Sequence, residues 1–279
     1  PLGVLGASIA TLSAQAFQVV VLFYLFLKPK HREIYGTSSY RFRPKLFGKY
    51  IKIGLPNSLG TMIDGGAWAM SMHVLALTGP LYITVAVIGQ TVYSLFYFAN
   101  DSLQKAVMTC SSNFIGANIT TKTPQLLKSA LSMQWILSIL LFFPLVVYPD
   151  PFIKCFVLPD LSLHEMGMIE DYLEQVLFWV WVYFVSDGAV WILAAILISG
   201  GDTKYTMIRS ALNAWGFAFL PIYLFVANSY GSPVTPWQIF LMYSMINATC
   251  FYLRYRKGKW KNNLVDSQST ASMNLNSLL

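Results

Sequence analysis

Two aspartates interrupt long apolar segments of this 279-residue chain. Asp64 lies in "TMIDGGAWAMSMHV" and Asp187 in "WVYFVSDGAVWILAAILISGGD", each near the centre of its apolar run. An ionised Asp at the centre of a bilayer costs roughly 2.5–3.5 kcal/mol, so such residues usually face a bundle interior or a watery cavity on an ion or substrate path. The pair therefore predicts an ion or substrate site. The alternative is that each side chain is a neutral acid, or caps a broken helix, and only packs.

Aromatic residues accompany both carboxylates at helical spacing. Trp68 lies one turn after Asp64, and Tyr183 and Trp191 flank Asp187 at four residues on either side. Aromatic rings beside carboxylates suit a cationic guest, because the face of each ring attracts positive charge. The alternative is that these rings only pack against neighbouring helices or lipid, and in a chain with 15% aromatic residues it stays open.

Two other polar sites in the apolar segments have structural interpretations. His73 lies nine residues after Asp64, on the opposite face of a helix, so we do not expect it to be that carboxylate's partner. Asp101 precedes Lys105 by four residues near the end of its apolar run. That spacing predicts a local ion pair on one helix.

The elements that must position these side chains are long apolar helices. The composition is 56% hydrophobic and 11% charged, far from the average of soluble proteins. Apolar runs of about 20 residues match a bilayer core of about 30 Å. We therefore predict an all-α multi-pass membrane protein with about seven transmembrane helices, at roughly 2–27, 52–78, 81–104, 126–149, 172–199, 206–227 and 236–255.

Basic residues are unevenly distributed among the predicted loops. Eight Lys and Arg residues lie between positions 28 and 52, and ten more lie near the ends of the third, fifth and seventh runs, whereas the opposite side has only Lys154. By the positive-inside rule this bias places the C-terminus in the cytoplasm. The predicted location is the plasma membrane, or the inner membrane of a bacterium. Topology and membrane lipids account for the net charge of +7, so we expect no nucleic-acid partner.

The charge pattern also divides the chain into four predicted parts. A first helix at 1–27 is followed by a basic cytoplasmic linker at 28–51, a helical bundle at 52–256 and a cytoplasmic tail at 257–279. The linker is rich in Pro, Gly and Ser, as expected between two helical groups. Because the chain begins with proline rather than methionine, we expect an upstream part of the protein.

Two further sequence features concern the helices and metals. Pro144 and Pro221 lie inside apolar runs and predict breaks in those helices. The three cysteines are widely separated and show no metal-ligand spacing. No metal site is therefore predicted.

Three stretches of the chain contain "KIGLP", "VIGQ" and "SGGDTK". These stretches resemble helices of the MATE family of multidrug and toxic compound extrusion transporters. "YIKIGLPNSLGTMIDGGAWAMSMHVLALTG" is similar to the family's seventh helix, with Asp64 at the position of its acid. "VAVIGQTVYSLF", which contains Gln90, resembles the eighth helix, and "SNFIGAN" resembles the motif at that helix's cytoplasmic end. "AAILISGGDTKYTMIRSALNAWGFAFLPIYL" is similar to the family's "G-x-L-R-G-A-G-D-T-R" turn and the helix after it. Asp187 precedes Gly201 of that turn by fourteen residues, the spacing of the tenth-helix acid.

The resemblance implies a fold and an activity. It covers nearly the whole chain as helices six to twelve: the last helix of the N-lobe and a six-helix C-lobe bundle, with N-lobe helices one to five as the missing partner. It implies a non-enzymatic antiporter that uses H⁺ or Na⁺, without another cofactor, to export cationic amphiphilic drugs or toxic organic compounds by alternating access. The coupling-ion and substrate-binding residues would be Asp64, Asp187, Gln90, Trp68, Tyr183 and Trp191.

Departures from the family pattern leave alternatives open. The usual arginine of the turn is Ile198 here and its first glycine is Ser199, so drug specificity cannot be carried over. A flippase for lipid-linked saccharides of the same superfamily is one alternative, although it should line its cleft with arginines. An inactive truncated transporter is another. A seven-span receptor and an intramembrane aspartyl protease fit poorly, because "D-R-Y", "N-P-x-x-Y" and "Y-D" do not occur.

Overall fold

Helices form almost all of the structure, and no strand occurs among the residues described. The computed structural model describes residues 3–30, 32, 42, 44–156, 163–226 and 231–261. The predicted all-α class is confirmed. In chain order the helices are α1 (Gly3–Phe26), α2 (Pro44–Thr78), α3 (Pro80–Gly116), α4 (Thr123–Phe142), α5 (Asp150–Phe156), α6 (Leu163–Ser199), α7 (Thr203–Asn213) and α8 (Thr235–Arg256).

Within the described part of the chain, four segments are long and apolar enough to cross a bilayer. They are Ser8–Phe26, Pro80–Gly116, Thr120–Val147 and Ile169–Ser199. The chain is therefore a multi-pass membrane protein. The other three predicted runs coincide with α2, with α7 and its continuation, and with α8. These helices are less apolar because they carry polar residues such as Asn57, Ser210 and Asn247, and the count of about seven spans stays a prediction.

The chain divides into two compact units, Pro1–Ile51 and Lys52–Leu279. In the first unit, α1 is predominantly apolar, and its described residues are exposed except at Gly6. Such a surface suits lipid or another apolar helix. The second unit holds the remaining core and the candidate site. The predicted assignment of these parts to two lobes stays a prediction.

Helix α6 is the central helix of the second unit, where it packs against α3, α4 and α8. Two groups of buried apolar side chains pack along it. The α6 residues of the first group end at Tyr183, and those of the second begin at Val190. Asp187 lies between them, so the packing of α6 places a carboxylate at the junction of two apolar cores.

Both prolines predicted to break helices lie at π-helical segments. Pro144 belongs to the segment Phe143–Val147 that continues α4. Pro221 lies between Ala214–Phe219 and Ile222–Val226, which continue α7. Proline has no N–H to donate to the i−4 carbonyl, so regular α-helical bonding is interrupted there.

The turn between α6 and α7 is tied to the end of α8. Arg254 makes two hydrogen bonds to buried Asp202, from Nε to Oδ2 at 2.6 Å and from Nη2 to Oδ1 at 2.9 Å. Trp260 is 1% exposed and lies against Gly200, where an added Cβ would be 2.5 Å from the Trp260 carbonyl oxygen. The first residues of the predicted tail therefore pack on the bundle, because burying this indole is favourable. Residues 262–279 of that tail lie outside the described residues.

Candidate functional site

A cavity of about 640 Å³ opens within the second unit between α2, α3, α6, α7 and α8. This volume lies within the range of small-molecule sites. All six residues nominated from the sequence line it: Asp64, Trp68, Gln90, Tyr183, Asp187 and Trp191. The structure thus brings them together, although their roles in binding or coupling stay predictions.

Asp187 is the most enclosed carboxylate of the cavity, at 6% exposure. The Tyr93 hydroxyl of α3 donates a hydrogen bond to Asp187 Oδ2 at 2.5 Å. The Trp191 indole N–H, one turn further along α6, donates to the same oxygen at 2.8 Å. Two aromatic donors from two helices therefore hold this carboxyl group in one orientation.

Asp64 has a different environment. The Ser210 hydroxyl of α7 donates to Asp64 Oδ2 at 2.6 Å. Asp64 Oδ1 is buried and has no hydrogen-bond partner among the described residues. A buried acceptor without a donor costs about 1–3 kcal/mol. Asp64 is thus the less satisfied of the two carboxylates, and it gains more from a donor or cation that enters the cavity.

Aromatic side chains form one wall of the cavity. The Trp68 ring stacks on Phe240 with centroids 4.2 Å apart and meets Trp237 edge-on at 6.4 Å. The Tyr183 ring lies 5.1 Å from that of Tyr93. These rings pack against one another, as the packing alternative expects. Trp68 and Tyr183 also line the cavity, and binding of a guest by these rings stays a prediction.

Several cavity residues were not nominated from the sequence. Tyr93, Tyr97, Ser210, Tyr243 and Asn247 all line the cavity. A signal for the two α3 tyrosines was present, since they follow Gln90 at intervals of three and four residues and therefore share its helix face. The α7 and α8 residues carried no comparable signal, because their approach to Asp64 depends on how the helices pack.

Other nominated polar residues lie outside the cavity. His73 is exposed on α2 and is not among the residues that line the cavity. The predicted ion pair on α3 is confirmed, with Lys105 Nζ 2.7 Å from Asp101 Oδ2. Across the part of the chain that the structure describes, no three His, Cys, Asp or Glu residues are grouped closely enough to hold a metal ion.

Comparison with known proteins finds distant relatives. The chain is 20% identical over 225 residues to the probable multidrug resistance protein NorM of Neisseria meningitidis serogroup B (strain ATCC BAA-335 / MC58). The match covers 80% of this chain and 48% of that protein. The protein of the same name from Neisseria meningitidis serogroup A / serotype 4A (strain DSM 15465 / Z2491) matches to the same extent.

The chain therefore spans about half the length of the curated relatives that it matches. No family model matches it, and no solved structure matches it. The likeness is spread over most of the chain rather than confined to one motif, since it covers 80% of its residues. This membrane chain is similar to proteins named for multidrug resistance.

Proposed function

We propose that this chain is part of a MATE-type multidrug efflux transporter, corresponding to helices six to twelve. It exchanges H⁺ or Na⁺ for cationic amphiphilic drugs or toxic organic compounds by alternating access. The observation that carries the proposal is a single cavity that joins Asp64 and Asp187 with an aromatic wall, at the motif positions of the resemblance. The distant likeness to multidrug resistance proteins supports the same class of activity, which is transport rather than enzymatic catalysis.

The cavity suits an organic cation for three reasons. Its volume of about 640 Å³ accommodates a drug-sized molecule. The Trp68 and Tyr183 rings offer apolar area and negative ring faces, which attract a cation. Two carboxylates supply negative charge in a region where water is scarce. Among the described residues no Lys or Arg lines the cavity, and this disfavours the flippase alternative, which needs cationic groups to hold a pyrophosphate.

Competition between the coupling ion and the drug for the carboxylates would couple inward movement of the ion to export of the drug. A carboxylate that has bound H⁺, Na⁺ or the drug's positive charge is less costly in the membrane than an ionised carboxylate with nothing bound. Entry of the coupling ion from outside therefore releases the drug, and release of the ion inside restores the binding site. By the positive-inside rule the basic loops favour a cytoplasmic C-terminus, and N-lobe helices one to five would complete the cleft.

A dye-accumulation assay in cells tests the proposal. The chain is expressed alone and within the longest reading frame that contains it, with a fluorescent organic cation in the medium. Wild type should lower the cell-associated dye, and collapse of the ion gradients should abolish the effect. Asp187→Asn and Asp64→Asn should each accumulate dye as empty cells do, at equal expression.

Asp101→Asn is the matched control. It removes a carboxylate of the same chain that is paired with Lys105 at 2.7 Å and does not line the cavity. This variant should export dye as wild type does. If wild type never changes the dye level in any of these forms, or if Asp101→Asn is as inactive as Asp187→Asn, the assignment of export to the cavity is wrong.

A further inference from the structure

Gln134 of α4 lies against the part of α6 where a side chain is missing. It is 2% exposed, and its Nε2 donates a hydrogen bond to the Phe184 carbonyl of α6 at 3.2 Å. We propose that contact of Gln134 with Gly188 fixes the rotation of α6 and thereby makes Asp187 face the cavity. Gln134 is then a positioning residue outside the cavity lining, and this inference rests on the proposed function for what the cavity does.

Gly188 makes the contact possible. A Cβ added at Gly188 would lie 2.8 Å from Gln134 Cγ and still closer to its Cδ and Nε2, whereas ordinary contacts begin at 3.4 Å. The Gln134 amide therefore occupies the space that any other residue at position 188 would fill. The only other glycine of α6, Gly167, is exposed in the second turn of the helix. Position 188 is thus the one gap in the buried length of α6 that the amide can enter.

The contact selects one rotation of α6. Successive residues of an α-helix point about 100° apart, so a rotation by one residue would bring Asp187 or Ala189 against the Gln134 amide. Both residues have the Cβ that this space excludes. In the observed rotation Asp187 lines the cavity instead, together with Trp191 and Ala194, which follow it on the same face of the helix.

Apolar packing alone specifies this rotation poorly. Buried apolar residues lie on several sides of α6, because the two apolar clusters join it to α3, α4 and α8. Lipid is as apolar as these side chains, so a membrane helix gains little by exchanging one apolar face for another. Rotation is better specified by complementary shapes, such as a side chain that enters a gap in the neighbouring helix.

The hydrogen bond to Phe184 holds the Gln134 amide in this gap. Phe184 lies one turn before Gly188, so its carbonyl points along α6 towards position 188. The other amide atom, Gln134 Oε1, is buried and has no hydrogen-bond partner among the described residues. Such an unpaired acceptor lowers stability. The contact therefore adds less to stability than its close packing suggests, as expected if its main effect is on position.

Other hydrogen bonds between α6 and its neighbours do not depend on a missing side chain. Trp181 Nε1 donates to the Ser138 carbonyl of α4 at 2.8 Å. Ser244 of α8 donates through its hydroxyl to the Ser186 hydroxyl at 2.9 Å. Because positions 181 and 186 both carry side chains, neither bond excludes a rotation by filling a gap.

Disulfide cross-linking measures the rotation of α6 without requiring transport. Ser186→Cys and Ser244→Cys place two thiols at positions whose hydroxyl oxygens are 2.9 Å apart, in a chain whose three native cysteines are replaced by alanine. Oxidation of the purified protein in lipid should then join α6 to α8. A rotation of α6 by one residue would carry position 186 away from α8, and the initial rate of cross-linking would fall.

Two variants of the contact should slow this cross-linking severalfold. Gln134→Ala empties the gap beside Gly188, and Gly188→Ala adds a methyl group that the amide must leave room for. Because the clash requires the amide, Gly188→Ala should cause no further loss when it is added to Gln134→Ala. An unchanged rate in either single variant would overturn the proposal, and so would an equal loss from Gly188→Ala with and without Gln134.

Two controls separate the filled gap from general packing of α4 on α6. Gln134→Met keeps a side chain of the same length in the gap and should retain the wild-type rate. If Gln134→Met cross-linked as slowly as Gln134→Ala, filling of the gap would not be the cause and the proposal would be wrong. Trp181→Phe removes a different hydrogen bond between the same helices and should also retain the rate. A loss equal to that of Gln134→Ala would overturn the proposal as well.

Dye binding separates failure of this inference from failure of the proposed function. Gln134→Ala and Gly188→Ala should each weaken binding of a fluorescent organic cation by about tenfold, the equivalent of 1.4 kcal/mol, because Asp187 no longer faces the dye. Equal affinity in all variants despite slower cross-linking would refute the positioning role. If wild type binds dye and no cross-linking rate changes, the inference is wrong and the proposed function stands. If no form binds dye while the rates change as expected, the proposed function fails and the contact stands.

Discussion

Adding one methyl group at Gly89 should displace the aromatic wall of the cavity. An added Cβ there would lie 2.7 Å from three atoms of the Trp237 indole, whereas ordinary contacts begin at 3.4 Å. Trp237 is completely buried, so the rigid ring cannot swing into solvent and must shift by several tenths of an ångström. Overpacking of this kind typically costs about 1–3 kcal/mol.

The displacement should reach the ligand site, because Trp237 contacts two of its residues. Its ring lies 6.4 Å from Trp68 and 6.0 Å from Tyr183, centroid to centroid. We therefore expect Gly89→Ala to lower both the thermal midpoint and the affinity for a fluorescent organic cation. Each 1 kcal/mol corresponds to about 2–4 °C in a domain of this size class, and each 1.4 kcal/mol to about tenfold in affinity.

The assay is thermal unfolding of the purified protein in detergent, followed by titration with the dye at a temperature where both variants are folded. Gly54→Ala is the matched control, because an added Cβ at this position of α2 meets no atom within 4 Å. In a helix interior that change should be neutral or stabilising by up to about 1 kcal/mol. Equal midpoints and equal dye affinities for the two variants would refute the packing of Trp237 against Gly89.

Further predictions concern the junction of α6, α7 and α8, and thermal unfolding checks each of them. Asp202→Asn should lower the midpoint strongly, because it leaves the partly buried Arg254 without its partner, and breaking such a pair costs about 3–5 kcal/mol. Asp101→Asn, which breaks an exposed pair, should leave the midpoint unchanged. If Asp101→Asn and Asp202→Asn lowered the midpoint equally, this reasoning would be wrong. Trp260→Ala should cost about 3–5 kcal/mol if residues 257–261 pack as described, whereas a mobile tail would tolerate it. Gly200→Ala should also lower the thermal midpoint, since the added Cβ would meet the Trp260 backbone. All four variants should retain their affinity for the dye.

Much of the fold was predictable because a membrane imposes a simple rule. Apolar runs long enough to cross a bilayer must be helices, since a helix satisfies its own backbone hydrogen bonds in lipid. The runs at 81–104 and 172–199 lie inside α3 and α6, but both helices extend well beyond them. Polar residues can continue a helix once it leaves the apolar layer, so hydropathy fixes the centre of a helix better than its ends.

Packing of residues 257–261 was not predictable from composition. Basic residues surround Trp260 in the sequence, and their charge pattern is typical of a solvated tail. The structure instead stacks Trp260 on Tyr255, with centroids 5.8 Å apart and an interplanar angle of 10°, while Gly200 leaves room for its backbone. One large indole outweighs neighbouring charges because lysine and arginine side chains can reach solvent from a packed backbone.

The candidate site was predictable to the extent that helical spacing alone relates its residues. Trp191 lies one turn from Asp187 on α6, and the structure shows the hydrogen bond that this spacing permits. Contacts between helices are different in kind. Ser210 is 146 positions from Asp64 in the chain, and no periodicity within either helix indicates that the two side chains meet.

Tyr93 shows how such a partner could be recognised in other chains. Helix α3 carries Gln90, Tyr93, Tyr97 and Gln104 on one face of an otherwise apolar helix, and all four line the cavity. A stripe of hydrogen-bonding side chains at intervals of three, four and seven residues is costly in lipid, so it must face protein or water. In this chain the Tyr93 hydroxyl of that stripe donates to the buried Asp187 carboxylate of α6. The search for partners of Asp187 should therefore begin with the polar face of a neighbouring helix rather than with charged residues.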